Sequence, residues 1–360
     1  MTRRNTLLIG SMPFLDERDA MTKAIQILGD SLISLPDGEI GEKSEEYPNG
    51  NRSAWINSVI DSCLKDKEHW DTLKEAERGS NGFPLSYQDA VKLQPKHSAA
   101  DIDQYLNFGY LDYFKQSYPI FQQLRTEYGL SGLKFQVGIP TGLALSLIML
   151  RPLQAFRYQE AFNRQLAYEV NEMIRIAEDD VIIQIEAPAE IALAQQLPKM
   201  MNGIAVNSLL SLVEKLDTTT TIGLHFCWGD LNNKALTHAK TLDKMVHFAN
   251  KLIEKWPEIY RLEYVHFPLA EGEVPPSLEL EYYKPLKYVH LPENIRFVAG
   301  FIHEKRNFEE SKKILKHIES VRSHTVDIAC SCGLGRRNPE VAIYLLKLTG
   351  QLLEVDGFGV

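Results

Sequence analysis

Two short segments carry soft metal donors at fixed spacing. In Leu224-His225-Phe226-Cys227-Trp228-Gly229-Asp230 an imidazole and a thiol stand two residues apart. Residues i and i+2 of a β-strand point to the same face, so His225 and Cys227 can offer a ring nitrogen and a thiolate to one ion. The second segment, Cys330-Ser331-Cys332-Gly333-Leu334-Gly335-Arg336-Arg337, adds two thiols beside a glycine. Histidine with cysteinate suits zinc. Taken alone, His-x-Cys also describes a buried histidine beside a packed cysteine. A second thiol-bearing strand end facing the same cavity turns the balance toward metal. Cys63 lies within a helical pattern and reads as an inert buried thiol.

Acidic residues follow the same logic. Pro36-Asp37-Gly38-Glu39-Ile40-Gly41-Glu42 comes directly after a β-rich run. Carboxylates spaced by glycine at a strand end can hold an ammonium group or act as acid and base, although Pro and Gly also favour a plain solvated turn. Asp37 and Glu39 are therefore candidate site residues, with Arg52 and Trp55 assigned to the same pocket. Asp230 follows the His-x-Cys pair closely enough to orient substrate or to brace His225. Arg336 and Arg337 suit two-pronged pairing with a carboxylate, and equally a plain surface ahead of the last helix.

These residues need strands to position them. β-rich apolar runs fall at about 5–9, 31–35, 133–137, 181–186, 220–226, 259–265, 295–301 and 325–330. Helical periodicity lies between them at about 16–28, 51–77, 101–128, 153–178, 188–216, 236–255, 308–321 and 338–353. Eight alternating units predict an α/β fold, a single (β/α)8 TIM barrel over 1–360. A doubly wound open sheet permits the same alternation, but no glycine-rich dinucleotide turn follows the first run. The gap between the second and third runs is too long for one crossover, so 37–132 is expected to be an insertion, a lid over the C-terminal face or a dimer contact. Chemistry in such a barrel sits where the strands end.

Composition narrows the function classes. A formal charge of −9 and a pI near 5.6 argue against a nucleic-acid partner, which needs clustered cations. Leu7-Leu8-Ile9 is too short for a signal-peptide core, and the apolar stretch at about 137–150 is broken by Pro140 and Thr141 and falls short of a membrane span. A cytoplasmic protein with no membrane partner, monomer or homodimer, is expected. Four cysteines in a chain of 360 residues do not make a disulfide framework.

With the strand ends in order, a resemblance becomes specific. His225-x-Cys227 and Cys332-Gly333-Leu334-x-x-Arg337 resemble two zinc-ligand motifs of cobalamin-independent methionine synthase. Ile9-Gly10-Ser11 resembles that family's substrate-cradling turn, and Gln184-Ile185-Glu186-Ala187-Pro188-Ala189 resembles its Gln-Ile-Asp-Glu-Pro-Ala strand end. Ile302-His303 falls where the family has an Ile-His associated with proton transfer. The family's remaining zinc ligand, a glutamate at the sixth strand, is matched most nearly by Glu263. His266 is the alternative, on the opposite strand face unless the strand bulges, and Glu271 is more distant.

The resemblance implies a zinc-dependent methyl or alkyl transferase acting on a homocysteine-like thiol to give a thioether such as methionine. It implies His225, Cys227, Glu263 and Cys332 as metal ligands. Gly10, Ser11, Asp37, Glu39 and Glu186 would hold the acceptor, and His303 and Asp230 would be catalytic. The chain is about half the length of the classical enzyme, so the donor stays open between a folate and a methylated corrinoid protein. Ala187 stands where the family has an acid, which alters the amino-group contact. A zinc lyase or hydrolase on the same barrel is the competing class, and a non-catalytic thiol- or zinc-binding protein is a third.

Overall fold

Ten strands are present in the computed structural model, which describes residues 3–53 and 56–359. They are β1 (Thr6–Leu7), β2 (Ser34–Pro36), β3 (Trp70–Lys74), β4 (Lys92–Pro95), β5 (Lys134–Pro140), β6 (Val181–Glu186), β7 (Thr221–His225), β8 (Arg261–Pro268), β9 (Arg296–Ile302) and β10 (Asp327–Cys330). Eight of them hydrogen-bond side by side and all parallel, in the order β1-β10-β9-β8-β7-β6-β5-β2. The two edges meet through a Thr6–Leu32 bridge and the Ile33 amide, which donates to Thr6 O at 2.9 Å. The result is a nearly closed α/β barrel ringed by helices, consistent with the expected TIM barrel.

The helices bury one stripe against the sheet. Phe308–Arg322 is typical: Ile314, Leu315 and Ile318 face inward, and Asn307 with Glu310 closes a capping box at its start. No helix among the described residues is long and apolar enough to cross a membrane.

Several elements differ from the sequence expectation. The pattern at 51–77 is helical only over Asn57–Lys65. Asp66 ends that helix by accepting from the His69 amide, and Trp70–Lys74 then pairs antiparallel with Lys92–Pro95. The pattern at 188–216 splits into helices Pro188–Gln196 and Gly203–Val213, with Pro198 between them unable to continue the first. The apolar stretch at 137–150 finishes β5 and then forms helix Gly142–Met149, started by Thr141, whose hydroxyl accepts from the Ala144 amide.

One irregularity controls the barrel interior. Between β7 and β8 the register runs Ile222 to Leu262 and then Gly223 to Tyr264, so Glu263 has no partner of its own. This bulge reverses the alternation. Tyr264 consequently points inward, packed with Leu7, Ile9, Ile182, Val298 and Ala329. Its hydroxyl donates to Gln184 Oε1 at 3.1 Å, while the amide groups of Gln184 and Gln136 donate to the carbonyls of Ile9 and Leu8. Polar bonds thus tie the first turn to the barrel centre.

Gly223 leaves the space that Tyr264 occupies: a Cβ there would lie 2.1 Å from Tyr264 Cζ. Gly223→Ala should therefore destabilise the fold by about 1–3 kcal/mol through overpacking, read as a lower denaturant midpoint at unchanged slope. An unchanged midpoint would contradict this interior packing.

Candidate metal centre

β7 delivers the first two donors. Phe226 turns outward and packs edge-on against Phe248 and Phe267, at 5.4 Å from each, so its neighbours His225 and Cys227 turn inward. The chain then reverses at Gly229, whose φ of +84° suits a residue without Cβ. The Trp228 indole donates to Pro268 O and anchors the turn. Cys332 enters from the loop after β10.

The donors converge. Cys227 Sγ and Cys332 Sγ are 3.8 Å apart, and Cys332 Sγ is 3.9 Å from His225 Nε2. A tetrahedral zinc with bonds of about 2.3 Å to sulfur and about 2.0–2.1 Å to nitrogen spans about 3.8 Å between sulfurs and about 3.6 Å between sulfur and nitrogen. The Cys227–Cys332 and Cys332–His225 pairs therefore match the ion to within a few tenths of an ångström, and all three donors lie within 4.8 Å of one another. Among the described residues, His225, Cys227 and Cys332 are the group whose donor atoms all lie within 4.8 Å of one another. The Cys332 thiol is pushed far above its ordinary range by the adjoining Cys227 thiol and then by burial. A dication removes that penalty, since it binds both sulfurs as thiolates. Burial, then His266 and Arg336, hold His225 well below its usual value, which favours the neutral ring, the form that could ligate a metal.

Glu263 is elsewhere. It sits near the start of β8, at the opposite end of the barrel, where Arg261 Nη2 approaches it at 2.8 Å and Arg296 at 3.7 Å. The bulge explains the correction, because it removes Glu263 from the inward row and puts His266 there. His266 Nδ1 lies 2.8 Å from His225 Nδ1, and burial pushes its pKa down to about 4. Glu271 is taken by His238 at 2.6 Å. Cys330 stands outside the donor group, and burial pushes its thiol up to about 12.

The acids divide into engaged and free. Asp37 Oδ2 accepts from Arg52 at 2.8 Å and Ser117 at 2.7 Å, and Oδ1 accepts from the Glu39 amide. Burial works against its charge, but Arg52 and these bonds outweigh it and keep the carboxylate below the ordinary range. Asp37 is thus a brace for its loop and has little left for a ligand. Glu39 is held at φ +48°, a left-handed conformation that costs a non-glycine residue free energy and recurs at functional sites.

Glu39 and Glu186 meet across a glycine window. A Cβ on Gly138 would lie 2.8 Å from Glu39 Oε1 and 2.9 Å from Glu186 Oε1, and one on Gly10 would lie 2.5 Å from Glu39 Oε1. Burial raises Glu39 to about 7, opposed by Arg52 and assisted by Asp37. Burial and the Glu39 charge raise Glu186 well above its usual value.

Beside them lies a pocket lined by Ile56, Tyr87, Glu186, Cys227, Asp230 and Cys332. Among the described residues neither carboxylate oxygen of the buried Asp230 has a hydrogen-bond partner, Arg336 Nε standing 3.8 Å from Oδ2, and burial raises its pKa against the pull of Arg336 and Arg337. Arg336 is only partly exposed, at 11% of its side chain, and donates to Ser11 Oγ at 2.7 Å and Asp230 O at 3.1 Å. The Ser11 hydroxyl is thereby occupied. Arg337 pairs with Glu304.

His303 is fully buried behind this pocket. Its Nε2 meets Gly272 O at 3.1 Å, and Nδ1 accepts from the Lys305 amide at 3.1 Å, so both nitrogens have backbone partners. Trp55 lies outside the described residues. Tyr87 and Ile56 gave no signal in the sequence: they come from the segment between β2 and β5, and only the tertiary structure brings them over the strand ends.

No family model matches the chain, and no curated protein matches it. Among solved structures, a Listeria monocytogenes protein provisionally named a vitamin-B12 independent methionine synthase aligns over 94% of this chain and 85% of its own, with 13% identity and a TM-score of 0.47.

A pH test follows from Glu39. Its folded pKa of about 7 lies above the reference value of 4.5, so its contribution to stability is present below the reference value and is lost as pH rises through about 7. Metal-free protein should therefore lose thermal stability between roughly pH 5 and pH 8, and Glu39→Gln should lose less of it. Parallel curves for the two proteins would remove Glu39 from the buried pair.

Proposed function

We propose that this chain is a zinc-dependent transferase that alkylates a small-molecule thiol, with methyl transfer to a homocysteine-like acceptor as the favoured case. The observation that carries the reading is the convergence of two thiols and one imidazole within 4.8 Å of one another, beside a pocket containing a buried acid with no hydrogen-bond partner among the described residues. His225, Cys227 and Cys332 would hold the metal. When bound, zinc keeps an acceptor thiol as the nucleophilic thiolate near neutral pH.

The remaining residues bind and orient. Glu39 and Glu186 would receive the acceptor's ammonium group, and the Gly10-Ser11 turn with Arg336 would receive its carboxylate. Asp230, buried beside the cysteines with Arg336 Nε 3.8 Å from Oδ2 and no side-chain hydrogen-bond partner among the described residues, is suited to take the thiol proton. His303, with both nitrogens engaged, would position the Gly272 segment against Asp230: a Cβ on Gly272 would lie 2.8 Å from Asp230 Oδ1. The domain reading is a single barrel over 1–360, with 37–132 acting as a lid. Two contacts support the lid: Tyr87 OH accepts from the Leu231 amide at 3.0 Å, and Asn232 donates to Pro84 O at 2.6 Å. The alkyl donor would be a folate or a methylated corrinoid protein.

A zinc hydrolase or lyase is the second reading, favoured by the three-donor set, which matches the protein ligand count of zinc sites that activate water. Metal analysis and zinc-edge absorption separate the cases. Cys227→Ser and Cys332→Ser should lose zinc, and Cys330→Ser should keep it. Homocysteine should add one sulfur to the two supplied by the protein. Asp230→Asn should then retain zinc and thiol while transfer falls about 10²–10⁴-fold. A zinc spectrum unmoved by any thiol, with turnover of a thiol-free substrate, would replace the transferase with the hydrolase or lyase.

A further inference from the structure

His266 belongs to neither the donor group nor the pocket lining, yet the barrel is built around it. The bulge at Glu263 turns it inward, and Gly300 opposite leaves it room, since a Cβ there would lie 2.2 Å from His266 Nε2. A second irregularity, between Ala329 and Cys330, shifts the β9–β10 register at the residue whose carbonyl His266 reaches. His266 Nε2 lies 3.0 Å from Cys330 O.

Proton positions follow from these contacts. A carbonyl oxygen only accepts, so His266 Nε2 carries a hydrogen. The ring is wholly buried, and its hydrogen-bond partners are that carbonyl and His225, with the Phe226 backbone also near it and, among the described residues, no carboxylate in contact to sustain an imidazolium. His266 is therefore neutral and its Nδ1 is a lone pair. His225 Nδ1, 2.8 Å away, must then be the donor. One hydrogen remains to His225 and it is on Nδ1, which leaves Nε2 bare. That bare nitrogen is the atom 3.9 Å from Cys332 Sγ.

We infer that His266 is a positioning residue: the relay from the Cys330 carbonyl through His266 fixes the tautomer of His225 and aims its Nε2 lone pair at the two cysteine sulfurs. Metal-binding histidines are commonly oriented by a carboxylate or carbonyl on the far nitrogen. Here a second histidine occupies that place and passes the preference of a carbonyl across two rings. A neutral acceptor adds no charge to the centre. The inference rests on the proposed metal site only for its effect on binding; the tautomer itself belongs to the metal-free protein.

The first test needs no metal. Nitrogen-15 spectra of the histidine rings in metal-free protein, assigned through His225→Gln and His266→Gln, should give protonated Nδ1 for His225 and protonated Nε2 for His266. Protonated Nε2 on His225 would overturn the relay. The second test is zinc affinity by chelator competition. His266→Phe removes the acceptor and should weaken zinc about 10–100-fold. His266→Gln, whose amide oxygen can accept from His225 while its NH2 donates to Cys330 O, should restore most of that loss. Equal affinity in folded His266→Phe and wild type would sink the positioning role, whereas a wild type that binds no zinc but gives the expected spectra would sink only the metal reading.

Discussion

Two thiols and an imidazole held within 4.8 Å of one another and largely out of water form an arrangement that hydrophobic packing alone does not favour. Each group loses hydration, and the sulfurs oppose one another as thiolates, as the upward displacement of Cys332 records. The rest of the site is intelligible as support for that convergence. The outward packing of Phe226 turns His225 and Cys227 inward, the reversal at Gly229 follows directly, and the Ser11 carbonyl accepts the Leu334 amide to hold the Cys332 loop against the first turn.

Much of this was legible from spacing. Alternating apolar runs gave the eight strands and their order, and the i, i+2 rule placed His225 and Cys227 on one face. Strand parity then failed at Glu263, because a bulge adds a residue without any local sequence marker, and Glu263 and His266 exchanged faces. The extended helix at 51–77 failed at Asp66, where a polar side chain stopped the helix by bonding to the following turn. Asp37 and His303 were correctly placed at strand ends, but position does not reveal partners: Arg52 and Ser117 occupy the first, and backbone groups occupy the second.

The acidic half of the site is held under strain. Glu39 sits in a left-handed backbone conformation fixed by the Asp37 side chain, and its carboxylate fills the space over two glycines that it shares with Glu186. Neither acid is neutralised by a direct ion pair, and Gln184 gives Glu186 a single amide contact at 3.1 Å. A bound cationic group would relieve both burial and mutual repulsion, so the stored free energy becomes binding energy for a ligand of that charge.

Charge balance connects the two halves. A dication with two thiolates and a neutral imidazole is net neutral, whereas replacing the imidazole partner by a glutamate ligand would leave it negative before any substrate arrived. With His266 as a neutral brace and Glu263 at the far end of the barrel, a site loaded as proposed would have capacity for one further anion. Arg336 stands ready for it, held between Ser11 and Asp230 and influenced by Glu39 and both cysteines. An acceptor entering as a thiolate with its own ammonium and carboxylate would add a soft anion at the metal, a cation at the glutamate pair and an anion near the arginine. On the proposed reading each would meet an opposite charge held by the site, an arrangement that would favour binding and orientation over simple activation of water.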